Sequence, residues 1–346
     1  ANTVKEDRKG YKNFVGTQLG VVGDLVRDER NTLTNIDPYL QASWAFAPRW
    51  KLDAGLRWSN VQFKSSDHFL ADGNSSGNTG FHKLLPMLSL QHQLNEDSSV
   101  YASLGRGMET PTFNEISYRP DGLAGLNFGL QPAVSTSAEL GVKQRFNMAG
   151  VRGDLSAALF QTQTDNEIVV ASNQGNTSYQ NAGKTRRRGL ELSTSAWIHP
   201  KVRVNGSLTL LDARLRNGYS YLDSNKSPVN IANGNRIAGT ARNMAYLGVE
   251  WTPSTEWRVG LDWRRMGQIA ADDKNTVYAP SYNVASLSVG YTKRLGAWKL
   301  NTFARIDNLA DKNYVGSVIV NEGNGRYYEA APGRQWMVGA SLSYQF

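Results

Sequence analysis

Apolar residues fall on every second position in one segment after another along this chain. Trp50, Leu52, Ala54, Leu56 and Trp58 alternate with Lys51, Asp53, Gly55, Arg57 and Ser59, and Trp336, Val338, Ala340, Leu342, Tyr344 and Phe346 alternate with Met337, Gly339, Ser341, Ser343 and Gln345. A period of two puts successive side chains on opposite faces of an extended strand, so each segment has one apolar and one polar face. The pattern recurs at residues 84–93, 98–107, 138–146, 151–161, 190–198, 202–211, 245–251, 257–264, 285–293 and 298–307, and Ala42, Trp44 and Phe46 mark another strand. Together these predict about thirteen strands, with residues 1–8 readable as the end of one more. No helical period competes over a comparable length.

The connections alternate as well. Short links at 47–49, 95–97, 147–150, 199–201, 253–256 and 294–297 interleave with long ones at 64–82, 108–132, 167–184, 216–241, 266–281 and 310–333. Short turns on one rim and long loops on the other describe a bacterial outer-membrane barrel, with the turns in the periplasm and the loops outside. The predicted fold is therefore all-β, a transmembrane antiparallel barrel in the outer membrane of a Gram-negative bacterium. An open sheet would leave unpaired edges in hydrocarbon, so further strands must close it. Residues 1–346 accordingly read as the C-terminal portion of a barrel whose N-terminal half supplies the rest. With the apolar set facing lipid, Trp44, Trp58, Leu190, Leu247, Trp263, Leu287, Val289 and Leu342 point outward, while Glu139, Lys143, Asp154, Glu191, Arg258, Asp262, Arg305 and Asp307 point into the lumen.

Composition sharpens this picture by exclusion. A mean hydropathy of −0.47 is too low for a helical membrane protein, and no run of about 18 apolar residues offers a transmembrane helix. The net charge of +8 is spread among acidic residues, clustering only at Lys184–Arg188, which argues against nucleic acid as a partner. The absence of cysteine suits an oxidising compartment. His68, His82, His92 and His199 are dispersed, with no nucleophile or metal-ligand spacing around them. No enzyme activity, cofactor or metal site is expected. The pair Asp272 and Asp273 reads as a solvated turn, and the GxG elements at 105–107 and 323–325 as loop conformers.

Five segments in order carry a family resemblance: YASLGRGMETPTFNE at Tyr101–Glu115, LQPAVSTSAELGVK at Leu130–Lys143, NAGKTRRRGLEL at Asn181–Leu192, IDNLADKNYVG at Ile306–Gly316, and the terminal PGRQWMVGASLSYQF. They resemble TonB-dependent outer-membrane receptors. The resemblance implies a barrel of about 22 strands filled by an N-terminal plug, uptake driven by TonB with ExbB and ExbD, and loops open to exploitation by phage or toxins. Neither plug nor TonB box has a counterpart within residues 1–346. It also implies that Phe346, the terminal aromatic, is the assembly signal of the barrel. RKGYKNF at Arg8–Phe14, NIDPYLQ at Asn35–Gln41, NGNR at Asn233–Arg236, ARNM at Ala241–Met244 and the loop at Val315–Arg334 resemble the enterobacterial branch that takes up pyrroloquinoline quinone. The implied function is import of a scarce small anionic nutrient, pyrroloquinoline quinone. A ferric siderophore is the alternative, and a passive porin, which needs no plug, is a further one.

Arginine beside tyrosine can grip a flat anionic ring through forked hydrogen bonds and stacking. The ligand-contact candidates are Arg187, Arg236, Arg242 and Arg326, with Tyr327 and Tyr328 as stacking surfaces. By parity Arg187 points to the lumen with Glu191. Arg186 and Arg188 point outward, where lipopolysaccharide phosphates are natural partners.

Overall fold

The computed structural model describes residues 1–121, 125–174, 176–223 and 227–346. Residues 122–124, 175 and 224–226, which belong to three of the long connections named above, lie outside the described residues. Fifteen strand segments form one sheet. Two of them, Leu25–Asn35 and Tyr39–Ala47, pair with successive stretches of the same neighbour, Trp50–Asp67, so they are one wall strand broken at residues 36–38. Pro38 has no N–H to give to the ladder. Asp37 fills the gap, its Oδ1 accepting from Ser59 Oγ and from the Asn60 backbone N–H at 3.1 Å each.

The wall strands are β1 (Asn2–Tyr11), β2 (the two segments just named), β3 (Trp50–Asp67), β4 (Gly77–Gln93), β5 (Ser98–Glu109), β6 (Ala133–Met148) and β7 (Val151–Asp165). They continue with β8 (Lys184–His199), β9 (Val202–Leu215), β10 (Asn243–Trp251), β11 (Trp257–Met266), β12 (Tyr282–Leu295), β13 (Trp298–Asp307) and β14 (Gln335–Tyr344). Each pairs antiparallel with its neighbours in chain order. Among the described residues β1 pairs only with β2 and β14 only with β13, so both sheet edges are free.

The two faces follow from the register. Leu247 stands opposite Trp263, Leu261 opposite Leu287 and Leu300 opposite Leu342, which makes a continuous apolar face with Leu247, Leu261 and Leu342 all exposed. The other face carries the charges. Tyr101 donates to Glu139 at 2.5 Å, Tyr246 donates to Asp262 at 2.7 Å, and Arg305 reaches both Asp262 at 3.3 Å and Asp307 at 2.8 Å. A continuous exposed apolar face suits lipid, and an internally paired polar face suits a lumen. Aromatic pairs mark the rim of short turns: Trp257 with Tyr291, Trp298 with Tyr344, and Tyr344 with Phe346, at centroid separations of 4.7, 4.9 and 5.1 Å. Such rings belong at a membrane–water interface.

The structure adds one segment to the wall, places short strand pairs such as Val315–Val318 with Tyr328–Ala330 in the long connections, and lengthens other wall strands. The Leu25–Asn35 segment is not announced by the sequence, because LVRDERNTLTN is mostly polar on both faces. The connection expected at 64–82 is shorter than predicted, since β3 and β4 stay paired up to Ser65 opposite Gly77. Above the membrane both faces of a strand meet water or loops, so the ladder outlasts the apolar alternation that announces it.

Candidate functional site

The connection between β5 and β6 folds over the lumenal face at the mouth instead of rising into solvent. Ile116 and Leu130 are buried against Val61, Phe63 and Phe81 of β3 and β4, with Phe113 edge-on to Phe63 at 5.2 Å. The contact is so close at Phe128 that a Cβ on Gly77 would stand 2.4 Å from the ring. Beside this loop, Arg8 Nη1 donates to Ser117 Oγ at 2.6 Å and Arg27 Nη2 to the Ser117 carbonyl at 3.2 Å. The Arg27 guanidinium lies over the Tyr118 ring at 4.6 Å. Arg8 and Arg27 share one buried carboxylate, Glu29, at 3.9 and 4.0 Å. Arg27 Nη1 has no hydrogen-bond partner among the described residues. These residues line a cavity of about 680 Å³ whose cations Arg8, Lys9 and Arg27 are balanced by Glu29, Asp67 and Asp72, with Tyr118 as part of its wall.

Three other long connections meet around Asp273. Its carboxylate accepts from Tyr219 Oη at 2.7 Å, Asn321 Nδ2 at 2.7 Å and the Ala238 backbone N–H at 3.0 Å, while its own N–H donates to Asn321 Oδ1 at 2.9 Å. Asp272 accepts from the Thr276 and Val277 backbone N–H groups at 2.8 and 3.1 Å and from the Thr276 hydroxyl. Asp272 and Asp273 are thus buried, which corrects the reading of this pair as a solvated turn: six donors replace the water that burial removes. Burial and the Asp273 carboxylate hold the Tyr219 phenol well above the ordinary tyrosine range. Among the described residues no group of three or more His, Cys, Asp or Glu could hold a metal ion.

The sequence candidates occupy different places in this arrangement. Arg187 makes a forked pair with Glu167, at 2.6 and 3.1 Å, and also donates to Thr185. Arg236 is buried, with its backbone tied to Asn275 in both directions. Burial first, then repulsion from Arg242, lowers its pKa from the usual guanidinium value. Arg242 is exposed beside it. Arg326 is exposed in the connection before β14, its backbone N–H held by Glu322 at 2.7 Å. Tyr327 and Tyr328 stand 6.3 Å apart, and Tyr328 Oη donates to the Tyr278 carbonyl at 3.0 Å. The structure therefore brings Arg236 next to Arg242 and groups Arg326 with the two tyrosines, but holds Arg187 apart. Sequence reasoning missed Arg8, Arg27 and Tyr118. The strict alternation of Arg27, Glu29 and Asn31 was the available signal, and it lacked apolar residues to frame it.

The chain matches the family described as TonB dependent receptor-like, beta-barrel, over residues 4–309, and it belongs to that family. Curated relatives include the probable TonB-dependent siderophore receptor PiuA of Acinetobacter baumannii, 24% identical over 318 residues that make up 90% of this chain and 41% of the relative. Another is the catecholate siderophore receptor Fiu of Escherichia coli K12, 25% identical over 353 residues, 93% of this chain and 44% of the relative. The chain spans less than half the length of these relatives. Among solved structures, it is similar in fold to the siderophore receptor PiuA from A. baumannii, with a TM-score of 0.77 and 21% identity over 94% of this chain and 45% of that one. The copper transporter OprC gives a TM-score of 0.74 and 20% identity over 99% of this chain and 53% of that one.

Proposed function

We propose that residues 1–346 form the C-terminal barrel portion of a TonB-dependent outer-membrane transporter, with a plug and further wall strands completing it and TonB, ExbB and ExbD supplying the drive. The observation that supports this most directly is the two-faced wall, apolar outside and internally ion-paired inside, with a loop packed inward at its mouth. The substrate is a ferric siderophore. Relatives over most of this chain carry siderophore-receptor names, and Arg27 stacked on Tyr118 at the mouth cavity, with the exposed Arg326 beside Tyr327 and Tyr328, suits an anionic, aromatic chelate. Arg187 and Arg236 contribute by holding loops, and Arg242 lies at their edge. Pyrroloquinoline quinone is the second reading, favoured by the resemblance of the loop segments at Asn233–Arg236 and Val315–Arg334.

Binding of a ferric catecholate and of pyrroloquinoline quinone to the complete receptor, followed by tryptophan fluorescence, tests both. Tight binding of the chelate alone is the expected result, and Arg27→Ala and Arg326→Ala should each weaken it by roughly ten-fold. Binding of the quinone alone transfers the assignment to the second reading. Binding of neither removes both substrates and leaves the membrane class untouched.

A further inference from the structure

The outward face of β8 and β9 carries an excess of arginine at one height. Arg188 is opposite Asp212 and Arg186 opposite Arg214 in the ladder, on the same face as Leu190 and Leu210. All three arginines converge on that single carboxylate: Arg214 Nε at 2.6 Å, Arg188 Nε at 3.3 Å and Arg186 Nη2 at 3.8 Å. One carboxylate neutralises one of them. Arg186 Nε is buried and has no hydrogen-bond partner among the described residues, and the exposed Arg242 lines a groove of about 690 Å³ together with Arg188 and Arg214. Two strands further on, Arg265 faces outward and donates to the amide oxygens of Asn243 and Asn283 at 3.2 and 3.4 Å.

Height tells what lies opposite. Arg188 stands about eleven residues above the short turn at His199, which at a rise of ~3.3 Å per residue and a tilt of ~45° is roughly 25 Å, the top of the apolar band. Immediately below, Leu159, Leu190 and Leu210 line the same groove. An apolar floor with a cationic rim, three arginines sharing one carboxylate and Arg214 Nη1 also donating to the Gly234 carbonyl at 2.9 Å, matches a molecule with acyl chains below and phosphate above.

We propose that Arg186, Arg188 and Arg214 bind the phosphate groups of a phosphorylated glycolipid of the outer leaflet, with Asp212 spacing the guanidinium groups apart and Arg265 extending the site. The inference rests on the membrane placement of the wall and on no assignment of the transported substrate. The phosphate would displace part of the Asp212 contact and take the arginine N–H groups held by neither Asp212 nor the Gly234 carbonyl.

The test is native mass spectrometry of the complete receptor in detergent with bisphosphorylated lipid A, the same lipid stripped of both phosphates, and inorganic phosphate as competitor. The phosphorylated lipid should be retained and the stripped lipid lost. The double change R188Q/R214Q should lower retention by roughly ten-fold, and Asp212→Asn should raise it, since a competing anion is removed. A general folding defect would lower retention in both variants. Equal retention of the two lipids by the unaltered protein would overturn the proposal, as would a fall in retention for a correctly assembled Asp212→Asn. Displacement of the lipid by equimolar inorganic phosphate would also overturn it, by identifying a free-anion site.

Discussion

At the scale of single residues, the long loops depend on a small number of buried polar atoms. Removing the Asp273 side chain leaves Tyr219 Oη, Asn321 Nδ2 and the Ala238 N–H without their acceptor, at about 1–3 kcal/mol for each donor that water cannot reach. Asp273→Ala should therefore loosen residues 216–242, 267–281 and 310–334 together. Hydrogen exchange and limited proteolysis would read this as faster exchange in all three while the wall strands stay protected; loosening of one alone would contradict the hub. The same contact has a pH signature. Because the Tyr219 pKa is raised in the folded loops, its contribution is complete below the ordinary phenol value near 10 and declines as pH rises beyond it. Loop protection should hold from pH 7 to about 9.5 and fall above, and Tyr219→Phe should abolish that component of the fall. None of this hub was legible in the sequence, since DDKN is compatible with a solvated turn until long-range partners such as Asn321, 48 residues away, are known.

At the scale of elements, what the sequence disclosed depended on the solvent on each side of a strand. Between lipid and lumen, alternation had to be strict, and the strands around Leu52, Leu190, Trp263 and Leu342 could be read directly. Above the lipid, the polar Leu25–Asn35 segment and the upper parts of β3 and β4 follow only from pairing, which composition does not record. Spin labels at Leu190, Leu247, Trp263 and Leu287 should be reached by a lipophilic relaxation agent, and labels at Arg258, Asp262 and Arg305 should not. The reverse outcome would mean a register shifted by one residue. The mouth loop offers a second check on packing. A side chain at Gly77 collides with Phe128, so Gly77→Val should displace the loop at a cost of about 1–3 kcal/mol and expose residues near Phe113 to protease. Antiparallel pairing of β3 with β4 should persist, visible as an unchanged β-sheet signal.

For the molecule as a whole, the free edges decide how it can enter a membrane. Both β1 and β14 have one partner among the described residues, and backbone groups left unpaired in hydrocarbon cost several kcal/mol each. A ten-residue edge such as Gln335–Tyr344 therefore outweighs the stability of an ordinary domain, about 5–15 kcal/mol. Closure by further strands is the physical condition for insertion. Phe346 bears on the same process: it is fully exposed beyond β14 and packs on Tyr344, which packs on Trp298, so it extends the aromatic rim where the chain meets the interface. Residues 1–346 produced alone in a Gram-negative host should aggregate. The same residues preceded by the remaining strands and plug should give a barrel that migrates faster in an unheated gel than after boiling. Deleting Phe346 from that complete chain should reduce the folded band without moving it, because the aromatic anchor assists insertion and leaves the wall pairing intact. A heat-modifiable monomer from residues 1–346 alone would show that this sheet can close on itself, and the requirement for additional strands would fall with it.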